Sequence, residues 1–249
     1  MDLSQALQMA SRTDAGMVRS HNEDAVFSNA ALGLAILADG MGGYNAGEVA
    51  SGMATTLLGS ELEKAFQKTA PHQLDASGKL YSHSVLEAEI ARANTAIYQA
   101  AQSQPQYAGM GTTLVVCLFY DDKMTVGHLG DSRLYMLRDG KFSQVTRDHS
   151  LLQEQIDSGI ITAEQAKHAQ HKNLVTKALG IDPTVEPELH VYETEPEDLY
   201  LLCSDGLNDM VEDEEIRLTL ITLRSNPSLT VQQLVQAAND NGGRDNVSA

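Results

Sequence analysis

The sequence predicts an α/β chain of the α+β kind: a four-layer sandwich in which two antiparallel β-sheets pack together, flanked by α-helices, with a helical flap. Three observations predict it. Two long apolar stripes at helical spacing precede Thr112, and short β-rich runs joined by tight turns follow it. Helical signals then return behind the last strong strand, and the outer face of each sheet needs helices to cover it.

The elements follow in chain order. Leu32–Asp39 (LGLAILAD) reads as a buried strand, and residues 46–66 as a helix whose Ala54, Leu58, Leu62 and Phe66 recur every four residues. A second helix covers residues 84–102, with Ile90, Ala93, Ile97 and Ala101 on one face. The runs TTLVVCLFY, MTVGHLG, RLYMLR and KFSQV then form an antiparallel meander, with Asp139-Gly140 as a plain hairpin turn. Between Ser150 and Gly180 two capping boxes, Ser150-x-x-Gln153 and Thr162-x-x-Gln165, precede short polar helices, and this stretch is the core of a flap spanning residues 148–182. LYLLCS is the next buried strand. Two helices follow, in EEIRLTLITLR and, after a Thr230-x-x-Gln233 box, in VQQLVQAAND.

No linker, low-complexity tract or fixed-period repeat divides the 249 residues, so one domain over residues 1–249 is expected. No run approaches the roughly 20 apolar residues that cross a bilayer. The first residues, MDLSQALQMASR, do not resemble a secretory signal, and Cys117 and Cys203 sit inside apolar runs as core residues. A cytoplasmic monomer is the expectation. With 17 basic and 34 acidic residues, a net charge of −17 argues against nucleic acid and anionic membranes as partners. The acidic stretches Glu193–Asp198 and Asp209–Glu215 read as solvated surface.

Four aspartates share one context, the end of an apolar run at a glycine or turn: Asp39 in LADGMGG, Asp131 in LGDSR, Asp205 in CSDGL and Asp245 in GGRDN. A single Asp-Gly pair is a turn and nothing more. Several strand-end carboxylates brought together, with a backbone carbonyl freed by a neighbouring glycine, suit a hard divalent cation such as Mg2+ or Mn2+. Zinc is disfavoured, because neither cysteine has a partner at zinc spacing.

Ahead of the first buried strand, the run GMVRSHNEDA adds Arg19, Glu23 and Asp24. Taken in order with DGMGG, GTT at Gly111–Thr113, GDSR, SDGL and RDN, it closely resembles the metal-dependent type 2C Ser/Thr protein phosphatases of bacterial type, over nearly the whole chain. The resemblance implies two central Mn2+ or Mg2+ ions bridged by Asp39. Asp205 and Asp245 would complete one site; the Gly40 carbonyl and, through water, Glu23 would serve the other. A third, weaker ion would use Asp131 with Asp205.

Arg19 would bind the substrate phosphate through its planar fork, so Arg19, Asp39 and Asp205 are the expected catalytic residues. Two ions that share a water can lower its pKa and align it for in-line attack, which needs no protein nucleophile, and the chain has no G-x-S-x-G elbow. Phosphoserine and phosphothreonine proteins, in opposition to Ser/Thr kinases, are the implied substrates. The alternatives are a weakly active phosphoprotein-binding relative, a nonenzymatic structural metal-binding domain and a phosphatase of a stress-signalling regulator.

Two departures stand out. Met41 occupies a position where many eukaryotic members carry the His proposed to protonate the leaving group, which leaves water as first candidate and His149 as a less favoured one. The family also continues after RDN with an apolar strand, whereas this chain ends at Val247–Ala249, so its last strand is expected to be truncated.

Overall fold

A computed structural model of the chain describes residues 2–43, 46–166 and 174–249. After β1 (Thr13–Asp14), strands β2 (Asp24–Asn29) and β3 (Leu34–Met41) pair antiparallel, and β3 leads into helix α1 (Ala46–Lys68) and then α2 (Tyr81–Ser103). The meander follows as β4 (Gly111–Thr112), β5 (Leu114–Tyr120), β6 (Lys123–Leu129), β7 (Arg133–Arg138) and β8 (Lys141–Gln144). Short helices α3 (Leu151–Asp157) and α4 (Ala163–Ala166) open the flap; part of that segment, residues 167–173, lies outside the described residues. Strands β9 (Glu188–Glu193) and β10 (Leu199–Cys203) come next. Helices α5 (Asp205–Asn208), α6 (Asp213–Thr222) and α7 (Pro227–Asp240) and a short β11 (Val247–Ser248) end the chain.

Two antiparallel sheets result, in the orders β2-β3-β5-β6-β9 and β10-β7-β8, while β4 joins the end of β3 and β1 pairs with β11. The period-two alternation of the strands sorts their side chains into layers. On one face of the larger sheet, Leu34, Ile36, Val116 and Leu118 pack under the stripes of α1 and α2, and every stripe residue the sequence singles out is buried there. On the other face, Val115, Cys117, Met124 and Val126 meet Leu134 and Leu202 of the smaller sheet. Its far side, with Tyr135, Leu137, Leu201 and Cys203, packs on Ile216, Leu220, Leu234 and Val235 of α6 and α7. The four layers are as expected. Truncating a fully buried side chain such as Leu58 or Leu62 to Ala would cost about 2–5 kcal/mol. Among the described residues no helix is long and apolar enough to cross a membrane.

The local signals hold in part. Ser150 Oγ accepts from Gln153 N, and Thr162 and Gln165 cap each other reciprocally. Helix α7 starts earlier than the Thr230 box suggests: Asn226 caps it by accepting from Leu229 N, with Pro227 in the first turn, while Thr230 Oγ1 donates back to Leu223 O and Asn226 O. Strands β2 and β9 go unread in the sequence, β9 because it is a half-exposed edge strand. The Glu193–Asp198 stretch is more than solvated surface: Asp198 takes the Arg138 guanidinium at 2.6 Å and the Tyr200 hydroxyl at 2.8 Å.

Candidate metal and phosphate site

One side-chain staple and two close backbone approaches gather the signature segments. The Asn246 side chain staples the RDN strand to the N-terminal loop, its Oδ1 accepting from Glu23 N at 2.8 Å and its Nδ2 donating to Ala15 O and His21 O. A Cβ on Gly206 would overlap the Asn246 carbonyl oxygen, so only glycine lets the SDG turn lie against RDN. At the head of α1, Gly40 and Gly47 touch backbone to backbone, and a Cβ on Gly47 would fall 2.7 Å from the Gly40 carbonyl carbon and 2.8 Å from Glu23 Oε1.

The result is a cleft of about 220 Å³ lined by Arg19, Glu23, Asp39, Gly40, Asp131, Asp205 and Asp245, with Met41, Gly42, Thr113 and Val175 beside them. Every site residue read from the sequence therefore meets in one place. Asp39 lies two residues inside β3 rather than at its end. Its N–H donates to Thr113 Oγ1 at 3.0 Å, and its carbonyl accepts from Thr112 Oγ1 and Thr113 N, so the GTT segment clamps it from both sides. The Thr113 hydroxyl in turn meets Ser132 Oγ at 2.7 Å, which ties Asp39 to the GDSR turn. Asp205 opens the short α5 directly after β10. Gly40 N donates to Glu23 O at 3.0 Å, and the Glu23 carboxylate accepts from Gly47 N in the first turn of α1, where the helix dipole favours an anion.

The electrostatics are those of acids crowded out of water. Burial first, then the charges of Asp24, Asp205 and Asp131, hold the Asp39 carboxyl well above its ordinary range. Asp205 is raised in the same way, by burial and then by Asp131 and Asp209. Asp131 is pushed up to about 6, again chiefly by burial. At the mouth, the half-exposed Arg19 donates from Nη2 to Asp245 Oδ2 at 2.7 Å, while Asn246 N donates to Asp245 Oδ1.

Two residues beside this site are named in the sequence motifs but given no role there. Asp24 stands opposite Asp39 in the β2–β3 register, its Oδ2 accepting from Ser204 Oγ at 2.8 Å. Its Oδ1 is buried without a hydrogen-bond partner, and burial pushes the carboxyl up to about 6. Asn246 is the other. Both lie inside the sequence motifs, GMVRSHNEDA and RDN, beside Glu23 and Asp245, and that membership is the only signal. His149, by contrast, does not line the cleft: Gly130 N donates to its Nδ1, and its Nε2 faces Glu188, so it is not positioned as the leaving-group acid.

The donor set fits hard divalent cations. It is all oxygen, it gathers five carboxylates with one arginine, and an orphaned buried carboxylate oxygen, Asp24 Oδ1, stands beside it across the β2–β3 register from Asp39.

The sequence model of the protein phosphatase 2C family matches residues 16–245. The serine/threonine protein phosphatase PstP of Mycobacterium tuberculosis is 38% identical over 244 residues, 97% of this chain but 44% of that protein, so the chain spans less than half of that relative's length. The serine/threonine phosphatase stp of Listeria welshimeri is 37% identical over 240 residues, covering 95% of this chain and 92% of its own. The solved catalytic domain of PstP in complex with two manganese ions matches with a TM-score of 0.82 at 38% identity, over 96% of this chain and 94% of that one. With the ordered motifs converging on one acidic cleft and the match running through nearly all of them, the chain belongs to the protein phosphatase 2C family.

Proposed function

We propose that this chain is a metal-dependent protein phosphatase, a single catalytic domain over residues 1–249 that hydrolyses phosphoserine and phosphothreonine in proteins and opposes Ser/Thr kinases. The observation that carries this reading is the convergence of Asp39, Asp131, Asp205 and Asp245 with the Arg19 guanidinium in one open cleft. A purely structural ion site has no use for a half-exposed arginine at its mouth. The two manganese ions of the PstP relative support Mn2+ or Mg2+ as the cofactor.

Asp39, the Gly40 carbonyl and Glu23 would hold one ion, Asp39 with Asp205 and Asp245 the other, and Asp131 with Asp205 a third. When bound, such ions lower the pKa of a water and offset charge on the phosphoryl oxygens. The chain's own contribution is placement. Thr112 and Thr113 fix the Asp39 backbone, Asn246 fixes Glu23 relative to Asp245, and Arg19, paired with Asp245 at the mouth of the cleft, would grip two phosphate oxygens of the substrate. Met41 lines the cleft and carries no proton, and no histidine lines it among the described residues, so water in the cleft protonates the leaving alkoxide. A non-catalytic phosphoprotein-binding role has no observation in its favour, since the acids and Arg19 all line the cleft. The two reduced, buried cysteines support a cytoplasmic setting, and we take the monomer as the working state.

The test is initial-rate hydrolysis of a phosphothreonine and a phosphotyrosine peptide in EDTA, Mg2+ or Mn2+, with wild type and Asp39→Ala. Phosphothreonine turnover that needs metal and vanishes in the variant supports the reading; a folded wild type inactive under every metal refutes it.

A further inference from the structure

Outside the cleft lies a second cluster of titratable side chains, His128, His149 and Glu188. His149 and His128 stack with ring centroids 4.8 Å apart and planes 3° from parallel. Glu188 stands opposite His128 in the β6–β9 register. The ligand atoms of the three lie within 4.8 Å of one another, the donor set of some zinc sites, but the nitrogens are already committed. His128 Nε2 donates to Arg147 O at 3.0 Å, His149 Nε2 lies 3.1 Å from Glu188 Oε1, and His149 Nδ1 accepts from Gly130 N at 3.1 Å. The cluster is wired for hydrogen bonding.

The wiring leads to the cleft. Gly130 precedes Asp131 and has φ +96°, and a Cβ there would fall 2.7 Å from Thr113 Cβ, so this turn fixes where the Asp131 carboxylate points. His149 grips the turn twice, since its own N–H also donates to Gly130 O at 2.9 Å. On its other side, His149 O accepts from Thr176 N at 2.8 Å, and Ser150 bridges to Val175, which lines the cleft. One buried residue thus joins the Asp131 turn, the described base of the flap and the edge strand β9.

We propose that His149 is a positioning residue: its bare Nδ1 holds the Gly130 N–H and so aims Asp131 into the cleft, and Glu188 selects the required tautomer by accepting from Nε2–H. This deepens the reading of the cleft as a metal site and rests on it. The tautomer follows from the partners. A backbone N–H can only donate, so Nδ1 must be unprotonated, and the ring proton of the neutral imidazole is then on Nε2, toward a carboxylate that can only accept. Residues that hold a metal ligand in place typically cost roughly 10–100-fold in metal affinity or activity when changed.

The test compares His149→Asn with His149→Gln. Asn places an acceptor oxygen near the Nδ1 position and can keep the Gly130 bond; Gln reaches the Nε2 position and cannot. Mn2+ affinity by calorimetry and kcat on a phosphothreonine peptide are read for both. Asn within about threefold of wild type, with Gln down about tenfold or more in the weakest Mn2+ step and in kcat but not in KM, supports the proposal. Equal behaviour of the two variants, or Asn below Gln, overturns it. Because calorimetry reads Mn2+ binding without turnover, a wild type that binds Mn2+ but hydrolyses nothing would refute the phosphatase reading and leave this comparison intact. Should Gln fail to fold, 15N spectra of histidine-labelled wild type at pH 8 decide: a protonated Nε2 with bare Nδ1 supports the assignment, and any other form of His149 overturns it.

Discussion

Asp24 and Asp39 face each other across β2 and β3 as cross-strand partners, one carboxylate buried and the other part-buried at the floor of the cleft. Asp24 Oδ1 has no hydrogen-bond partner, and the Asp39 carboxyl is the neighbour able to supply a proton. Without metal, the pair is eased by protonation; a cation bound in the cleft beside Asp39 would offset the charge in the proton's place. This exchange links stability, pH and metal in one site.

The first prediction is a pH profile of the metal-free protein. An acid whose folded pKa lies above its unfolded value stabilises fully below the unfolded value, and that stability is lost as pH rises through the folded one. Asp24 and Asp131 are raised from 3.8 to about 6, and Asp39 and Asp205 rise well above their ordinary value, all led by burial. Urea unfolding in EDTA should therefore show stability falling from about pH 4 through pH 6 and beyond, by on the order of a few kcal/mol. Millimolar Mn2+ at pH 7 should restore it as a concentration-dependent rise in Tm. A flat profile in EDTA, or no Mn2+ shift, would show that the acids are not strained together.

Asp24→Asn separates charge from shape. The amide oxygen can still accept from Ser204 Oγ, and the amide nitrogen can donate to Asp39, so the metal-free protein should gain stability and lose part of its pH dependence. The same change removes a negative charge beside the metal site, so the Mn2+-induced rise in Tm should shrink and kcat should fall roughly 10-fold or more. Paired melting curves in EDTA and Mn2+ check this; equal shifts in both would make Asp24 a packing residue.

Gly47→Ala tests the crossing of α1 over β3. Alanine is normally the better helix residue by about 1 kcal/mol, yet here its Cβ would fall 2.7 Å from the Gly40 carbonyl carbon and 2.8 Å from Glu23 Oε1. The Gly40 backbone cannot yield without moving Asp39, and the Glu23 carboxylate cannot yield without leaving its place in the cleft. We expect a net destabilisation of about 1–3 kcal/mol and a loss of Mn2+ affinity, measured by denaturation and calorimetry. A more stable variant with unchanged Mn2+ binding would mean that the crossing is loose.

These positions show what the sequence discloses and what it hides. Asp39, Asp131, Asp205 and Asp245 were legible because each stands beside a glycine or turn that its chemistry needs. The helical stripes of α1 and α2 were legible because burial imposes a 3.6-residue period. The motif marks Asp24 but not its role, since that role arises from the β2–β3 register, a long-range relation that DAVFSN does not advertise. Strand β9, ELHVYE, is an edge strand with polar residues on both faces, so its alternation is blurred, and with it went the link from Glu188 to His149. Asn246 looked like the tail of a motif until its three hydrogen bonds placed it between Ala15, His21 and Glu23.

Arg19 offers the cleanest separation of catalysis from stability. Its ion pair with Asp245 is at the surface, with the arginine side chain 53% exposed, and such pairs are worth only about 0–1 kcal/mol. Arg19→Ala should therefore leave the melting temperature in EDTA nearly unchanged. On a phosphothreonine peptide it should raise KM and lower kcat, by roughly 10²–10³-fold in kcat/KM if the guanidinium meets charge that develops in the transition state. Arg19→Lys keeps the charge and loses the fork, so it should recover only part of the loss. Steady-state kinetics of the three proteins at saturating Mn2+ decide the matter. Full recovery by Lys would make Arg19 a source of positive potential alone, whereas partial recovery assigns it the two-point grip on phosphate that its place at the mouth of the cleft allows.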